Sequence, residues 1–194
     1  MKDGADTVDR ILDAGEWIVV REGAARLTLD AVAARAGVSK GGLLYHFPSR
    51  RDLLRALLHR FVDRAEQRVD RERPAWFGRR GAELQATMRG WLNQSPLERR
   101  SAHALLAAVL HEPGLLSSVR PRIVQATRRL LAEARRQGVA PARAAILMLA
   151  IRGLWMSEIL RVGIGGVGGR AGILKELLAV AEEWYGASAG GARR

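Results

Sequence analysis

The sequence contains no cysteine among its 194 residues, and this absence excludes several kinds of chemistry. Without a thiol the chain has no disulfide scaffold, thiolate zinc site, iron–sulfur cluster or cysteine nucleophile. Long hydrophobic runs are also missing: the longest, residues 144–151, ends at Arg152, far short of the roughly 20 residues that span a bilayer. Charged side chains interrupt the N-terminal 22 residues, so we expect a cytoplasmic protein without a signal peptide or membrane segment.

Acidic residues are outnumbered, with 32 Lys and Arg against 20 Asp and Glu, which gives a formal charge of +12. The excess is not concentrated near the N-terminus, because residues 1–60 hold ten basic and eight acidic side chains, whereas residues 101–194 hold thirteen and six. Such a charge is compatible with nucleic-acid binding, but its distribution does not identify the binding segment. An argument for DNA binding must therefore depend on local geometry.

Apolar residues recur at the helical period of 3.6, and no stretch alternates with period two. The pattern predicts an all-α fold of about nine helices. The first runs over residues 7–22 and ends before Gly23. Helices five to nine are predicted at about residues 80–94, 96–112, 117–137, 141–162 and 170–185, separated by proline and glycine.

Two short helices with a tight turn between them are predicted from residue 28 to residue 46. Thr28 can cap the first helix, Gly37 can end it, and Ser39 can cap the second. This arrangement is a helix-turn-helix, whose second N-terminus offers free N–H groups to a phosphate. Gly41 and Gly42 let the backbone approach DNA closely, although each weakens the helix by up to about 1 kcal/mol relative to alanine. A mere packing corner between helices is the alternative interpretation.

A long fourth helix is predicted to begin at the capping box formed by Ser49 and Asp52. Residues 67–80 combine many charges with a proline and a glycine, which predicts a junction. We therefore expect a DNA-binding domain over residues 1–60 and a helical effector-binding and dimerisation domain over residues 61–194, joined by the fourth helix.

The segment GVSKGGLLYHFPSRRDLL, residues 37–54, closely resembles the DNA-binding signature of the tetracycline-repressor (TetR) family of bacterial transcription regulators. Segments at residues 11–14, 22–23 and 28–33 are similar to those of the family, so the resemblance covers residues 8–60. It implies a homodimer that binds a palindromic double-stranded DNA operator, responds to a small-molecule effector and acts as a repressor.

The resemblance also implies which residues touch DNA. It places Thr28 and Arg50 on phosphates, Ser39, Lys40, Gly41 and Gly42 at the start of the recognition helix, and Tyr45 and His46 on the DNA backbone. Gly42 and Leu44 depart from the family pattern, where polar and aromatic residues are common. Base readout would then depend mainly on Lys40, or on the backbone and DNA shape. A core position for Tyr45 and a helix-end cation at His46 are the alternatives.

The helix at residues 144–155 is apolar almost all round and must be covered on more than one side. In the resembling family the last two long helices form a four-helix dimer interface. The candidate interface residues are Leu147, Ile151, Leu154, Leu174, Leu177, Leu178 and Trp184. Burial within one subunit is the alternative.

Methionine and aromatic residues later in the chain predict either core or the lining of an effector cavity. The candidates are Met88, Trp91, His103, Met148, Trp155 and Met156. No cofactor, metal site or catalytic set is predicted, since His103 and His111 are too far apart on one helix to share zinc. Residues 163–168 match G-x-G-x-x-G without the preceding strand that a dinucleotide site needs, so we interpret them as a connection.

The sequence thus predicts a ligand-responsive DNA-binding transcription regulator that is not an enzyme. A sequence-nonspecific, basic architectural DNA-binding protein is the first alternative, favoured if the positive charge of residues 101–194 forms one continuous face. A helical enzyme with a buried carboxylate or histidine site is the second.

Overall fold

A computed structural model of the chain describes residues 2–162 and 169–187, and every regular element within these ranges is helical. Its nine α-helices there are α1 (Lys2–Glu22), α2 (Leu29–Ala36), α3 (Lys40–His46), α4 (Arg50–Trp76), α5 (Ala82–Leu92), α6 (Pro96–His111), α7 (Arg120–Arg136), α8 (Pro141–Ile159) and α9 (Gly169–Ala187). The predicted all-α fold class is confirmed. None of the described helices combines the length and apolarity needed to cross a bilayer. The glycine-rich motif at residues 163–168 lies outside the described residues.

The chain divides into two compact units, and each unit is built from two separate segments of the sequence. Unit 1 comprises Met1–Asp63 and Ser95–Pro121, and unit 2 comprises Arg64–Gln94 and Arg122–Arg194. The division predicted at residue 60 assigned α6 to the second domain, whereas its contacts group α6 with unit 1. Periodicity indicates that a helix has an apolar face but not which core that face joins, and α6 illustrates this limit.

Unit 1 has one apolar core, to which α6 contributes. Its fully buried members include Ile11, Leu27, Val32, Leu43, Leu53 and Val119. Ala104, Leu105 and Ala108 of α6 belong to the same cluster, and their spacing of three and four residues places them on one helix face. The helix-turn-helix therefore does not form its core from residues 1–63 alone.

A polar cluster in unit 1 links α1, α4 and α6. Arg60 Nη1 donates to Asp13 Oδ1 at 2.7 Å, and Arg60 Nη2 donates to Glu16. On the other side of that carboxylate, the buried hydroxyl of Ser101 donates to Glu16 Oε1 at 2.7 Å. Charge-assisted hydrogen bonds of this kind are stronger than neutral ones, so they fix α6 on the helix-turn-helix unit more firmly than apolar packing alone.

Unit 2 contains the second part of α4 together with α5, α7, α8 and α9. Its core includes Leu84, Met88, Leu130, Leu147, Ile151 and Tyr185. The junction predicted at residues 67–80 is wrong for most of its length, because α4 continues to Trp76 with Pro74 inside its last turns. Proline removes only one backbone donor there, and Val69 and Trp76 are buried in a common cluster that supports the helix.

The start of α5 is capped by the residue that follows α7. Gly81, in the left-handed conformation with φ 70°, is the N-cap and has no side chain to accept a hydrogen bond. Gln137, just after α7, accepts from the Gly81 N–H through Oε1 at 2.7 Å. A free N–H at the helix terminus is thereby satisfied from a distant part of the chain.

Candidate nucleic-acid interface

The turn between α2 and α3 is fixed by capping at both helix ends. Thr28 Oγ1 accepts from the Ala31 N–H at 3.2 Å, and Ser39 Oγ accepts from the Gly42 N–H at 3.0 Å. Gly37 ends α2 with φ 65°, a left-handed conformation that disfavours other residues. The two caps and the glycine stop predicted from the sequence are confirmed, and together they orient α3.

Arg10 of α1 holds the same turn from outside. Its Nη2 donates to the carbonyl oxygens of Ala36 at 2.7 Å and Gly37 at 3.0 Å. These carbonyls lie at the C-terminus of α2, where backbone acceptors lack partners within the helix and a cation is favourable. Sequence reasoning missed this residue, since no local signal relates positions so far apart in the chain.

One side of α3 faces the core of unit 1, and the opposite side faces solvent. Leu43 and Phe47 are buried, whereas the exposed residues are Lys40, Gly41, Leu44 and Tyr45. Tyr45 is 84% exposed, so the alternative that it is a core residue is wrong. Its ring packs edge-on against His46, with 5.0 Å between the ring centroids. A short helix that presents a cation and an aromatic ring to solvent has the composition of a DNA-reading surface.

Lys40 is paired with Asp30 of α2 across the turn. The distance from Lys40 Nζ to Asp30 Oδ1 is 2.9 Å, and the two side chains are 61% and 71% exposed. Ion pairs this exposed contribute about 0–1 kcal/mol. Lys40 therefore remains available to a stronger partner, such as a phosphate or a base edge.

The two glycines of α3 have different surroundings. A Cβ added at Gly41 would meet no atom within 4 Å, whereas one at Gly42 would lie 3.2 Å from Ser39 Oγ. A side chain at Gly42 would therefore crowd the N-cap, while Gly41 borders open space. Of the pair, Gly41 is the position that leaves the backbone open to a ligand.

The contacts of Arg50 differ from the phosphate contact that the resemblance implies. Its guanidinium donates to Leu27 O at 3.0 Å, to Ala24 O at 2.8 Å and to Glu112 Oε1 at 2.7 Å. Three partners within unit 1 occupy a side chain that was expected to bind a phosphate. The sequence showed the cation but not these acceptors, which lie 23, 26 and 62 residues away.

The six candidate effector residues do not form one cluster. Met88 and Met148 are buried in the core of unit 2, and the rings of Trp91 and Trp155 pack edge-to-face at 5.2 Å. His103 is exposed on α6 in unit 1 and does not belong to this set. Unit 2 also has a groove of 380 Å³ that none of the six lines; its lining residues are Arg73, Phe77, Gly78, Ala82, Glu83, Arg129, Glu133 and Arg136. Within residues 2–162 and 169–187 no three His, Asp or Glu side chains are grouped to hold a metal ion.

The predicted interface residues of α8 are core residues instead. Leu147, Ile151 and Leu154 are at most 5% exposed and pack inside unit 2. The outward side of α8 carries Ile146 and Leu149, which are 55% and 66% exposed. An almost uniformly apolar helix gives no sequence signal for which side faces the core, which explains the error. The α9 candidates, Leu174, Leu177, Leu178 and Trp184, are half-buried against the same core.

Two family models match the chain. The model described as "Bacterial regulatory proteins, tetR family" matches residues 11–57, and the model "Tetracyclin repressor-like, C-terminal domain" matches residues 81–182, more than half of the chain. The protein belongs to the TetR family of bacterial regulatory proteins. The family resemblance inferred from residues 37–54 is thereby confirmed.

Individual relatives agree with this assignment. The HTH-type transcriptional regulator SrpR of Pseudomonas putida is 38% identical over 53 residues, which cover 27% of this chain and 25% of SrpR. The crystal structure of a putative TetR-family regulator from Rhodococcus sp. superposes with a TM-score of 0.72 at 20% identity, covering 93% of this chain and 99% of that one. The multidrug binding protein EbrR, in its complex with ethidium, gives a TM-score of 0.63 at 24% identity, covering 90% and 98%.

Proposed function

We propose that this protein is a ligand-responsive transcription regulator that represses by binding a palindromic DNA operator as a homodimer. The observation that carries the proposal is the solvent-facing side of α3, capped by Ser39 and oriented by Gly37, in a chain of the TetR family. The relatives are named as regulators, which favours DNA binding over catalysis. Such a regulator acts in the cytoplasm, where bacterial DNA lies.

On this proposal α3 enters the major groove, and the ends of both short helices contact phosphates. Thr28 and Ser39 stand at helix N-termini, where N–H groups and the helix dipole favour an anion. Lys40, one residue into α3, reaches a base edge, most naturally the O6 and N7 acceptors of guanine. Tyr45 and His46, at the other end of α3, hold the helix against the DNA backbone.

The outward side of α8 supports the proposed dimer. Ile146 and Leu149 are three residues apart, so they form one exposed apolar strip. A second copy related by a two-fold axis would cover this strip with its own. A two-fold pair of α3 helices would bind an inverted repeat, whose half-sites lie about 34–36 Å apart when they are one helical turn of DNA apart.

The effector is proposed to bind in unit 2, near the Trp91–Trp155 pair. Trp155 Nε1 donates to Gln94 Oε1 at 2.9 Å, so a polar group lies beside two aromatic rings. Such a mixture suits a largely apolar ligand with a polar group. The crystal structure of EbrR with ethidium, an aromatic ligand, supports the choice of class. Since α4 passes from unit 1 into unit 2, it is the element that would carry the response.

The test is selection of binding sites from a pool of random-sequence duplexes. The expected product is an inverted repeat whose half-sites are centred one helical turn of DNA, or a multiple of it, apart. A pool that shows no enriched sequence after repeated selection, despite measurable binding, would favour the architectural alternative. Single enriched half-sites without a repeat would contradict the dimer and leave sequence recognition intact.

A further inference from the structure

The solvent face of α3 carries one aliphatic side chain. Leu44 is 37% exposed, although its neighbour Leu43 is completely buried. It lies one helical turn after Lys40, and residues four apart share a helix face. Leu44 therefore lies beside Lys40 on the side of α3 that is proposed to read DNA.

We infer that Leu44 contacts the C5-methyl group of a thymine in each half-site of the operator. This inference rests on the proposed function and adds a specificity-determining residue to it. Leu44 stands where the resembling family commonly carries an aromatic residue, so on this inference the departure replaces one contact with another rather than only removing it.

The chemistry of the leucine side chain restricts what it can recognise. It has no polar atom, so it cannot distinguish the hydrogen-bond donors and acceptors at the base edges. Among the four bases, thymine alone presents a methyl group in the major groove. Burial of that methyl against Leu44 would remove both apolar surfaces from water.

The helix geometry also gives the expected position of this thymine. Four residues of α-helix rise about 6 Å. Base pairs are about 3.4 Å apart along the duplex axis, and a helix in the major groove is inclined to that axis, so the two residues reach bases at most about two steps apart. We expect the thymine within about two base pairs of the guanine read by Lys40.

The experiment uses the selected operator, in which each thymine is replaced in turn by deoxyuridine. This replacement removes only the methyl group. The wild-type protein should lose about fourfold in affinity per half-site at one position, the factor expected for one buried carbon group. The Leu44→Ala variant should bind the thymine and deoxyuridine versions of that position equally well.

Leu110→Ala is the matched control, because Leu110 is 71% exposed on α6 in the same unit and is not on α3. It should keep the full deoxyuridine penalty. Circular dichroism should show that both variants keep the wild-type helix content.

Three results would overturn the inference. The first is that wild type tolerates deoxyuridine everywhere in the operator, which would make Leu44 an ordinary exposed side chain. The second is an equal penalty in wild type and Leu44→Ala, which would assign the methyl contact to another residue. The third is that selection enriches no operator, which contradicts the proposed function and the inference together; the first two contradict the inference alone.

Discussion

Arg50 Nη1 donates to Glu112 Oε1 at 2.7 Å, an ion pair that joins the first turn of α4 to the residue that follows α6. The same guanidinium binds the carbonyl oxygens of Ala24 and Leu27, between α1 and α2. One side chain thus connects three parts of unit 1. Its planar set of donors suits this task, which the single ammonium of lysine could not perform.

Replacing Arg50 with lysine separates a positioning role from a phosphate contact. Lysine keeps the charge but loses the three directed hydrogen bonds, so we expect a lower free energy of unfolding, by about 1–3 kcal/mol. Glu112→Gln should also lower it, although by less, since both side chains are more than one-third exposed. Urea denaturation measures both effects.

DNA binding by the same variants decides the question. A positioning role predicts weaker operator binding by Arg50→Lys with an unchanged slope of log affinity against log salt. For a phosphate contact, Arg50→Lys would bind like wild type, and Arg50→Ala would reduce the slope by about one unit. Glu112→Gln removes a negative charge. Electrostatics alone would therefore predict tighter DNA binding than in wild type, which the positioning role of Arg50 does not predict.

Lys40→Ala tests base readout by α3. We expect a loss of about 1–3 kcal/mol on the operator, together with a relaxed preference at one base pair per half-site. Tyr45→Phe, the comparison variant, should weaken binding without changing which base is preferred. Both are measured against a panel of single-base operator variants at one salt concentration. If Lys40→Ala loses affinity equally for every variant, Lys40 is a phosphate contact.

Gly90→Ala tests the close crossing of α4 and α5. A Cβ at Gly90 would lie 2.8 Å from the backbone nitrogen of Val69, which cannot move without displacing α4. Overpacking of this kind costs about 1–3 kcal/mol. Gly4→Ala is the control, because a Cβ there meets no atom within 4 Å. Thermal unfolding should show a lower midpoint for Gly90→Ala alone; equal midpoints would mean that α4 and α5 do not cross so closely.

Charges on α8 test the proposed dimer. Changing Ile146 and Leu149 to glutamate should give a folded monomer, because both side chains are exposed within one chain. Leu147→Glu should instead unfold unit 2, since it buries an unpaired charge in the core. Sedimentation and circular dichroism distinguish the two results. A double variant that still sediments as a dimer would exclude this side of α8 from the interface.

The sequence predicted elements that depend on neighbouring residues. The caps at Thr28 and Ser39, and the stop at Gly37, are local signals, and each is present in the structure. The features that the sequence did not predict depend on residues far apart in the chain. The packing of α6 into unit 1, the partners of Arg50 and the inward side of α8 are set by contacts that periodicity does not encode.

Sequence-specific recognition of DNA by this protein is tested most directly by competition between the operator and random DNA. The labelled operator is bound at fixed salt and challenged with a rising excess of unlabelled random duplex. Binding by a sequence-specific regulator should survive a roughly thousandfold excess, the lower end of the ratio between specific and nonspecific affinities. Loss of the complex at an equal amount of random duplex would contradict sequence-specific recognition and show a binder of DNA in general.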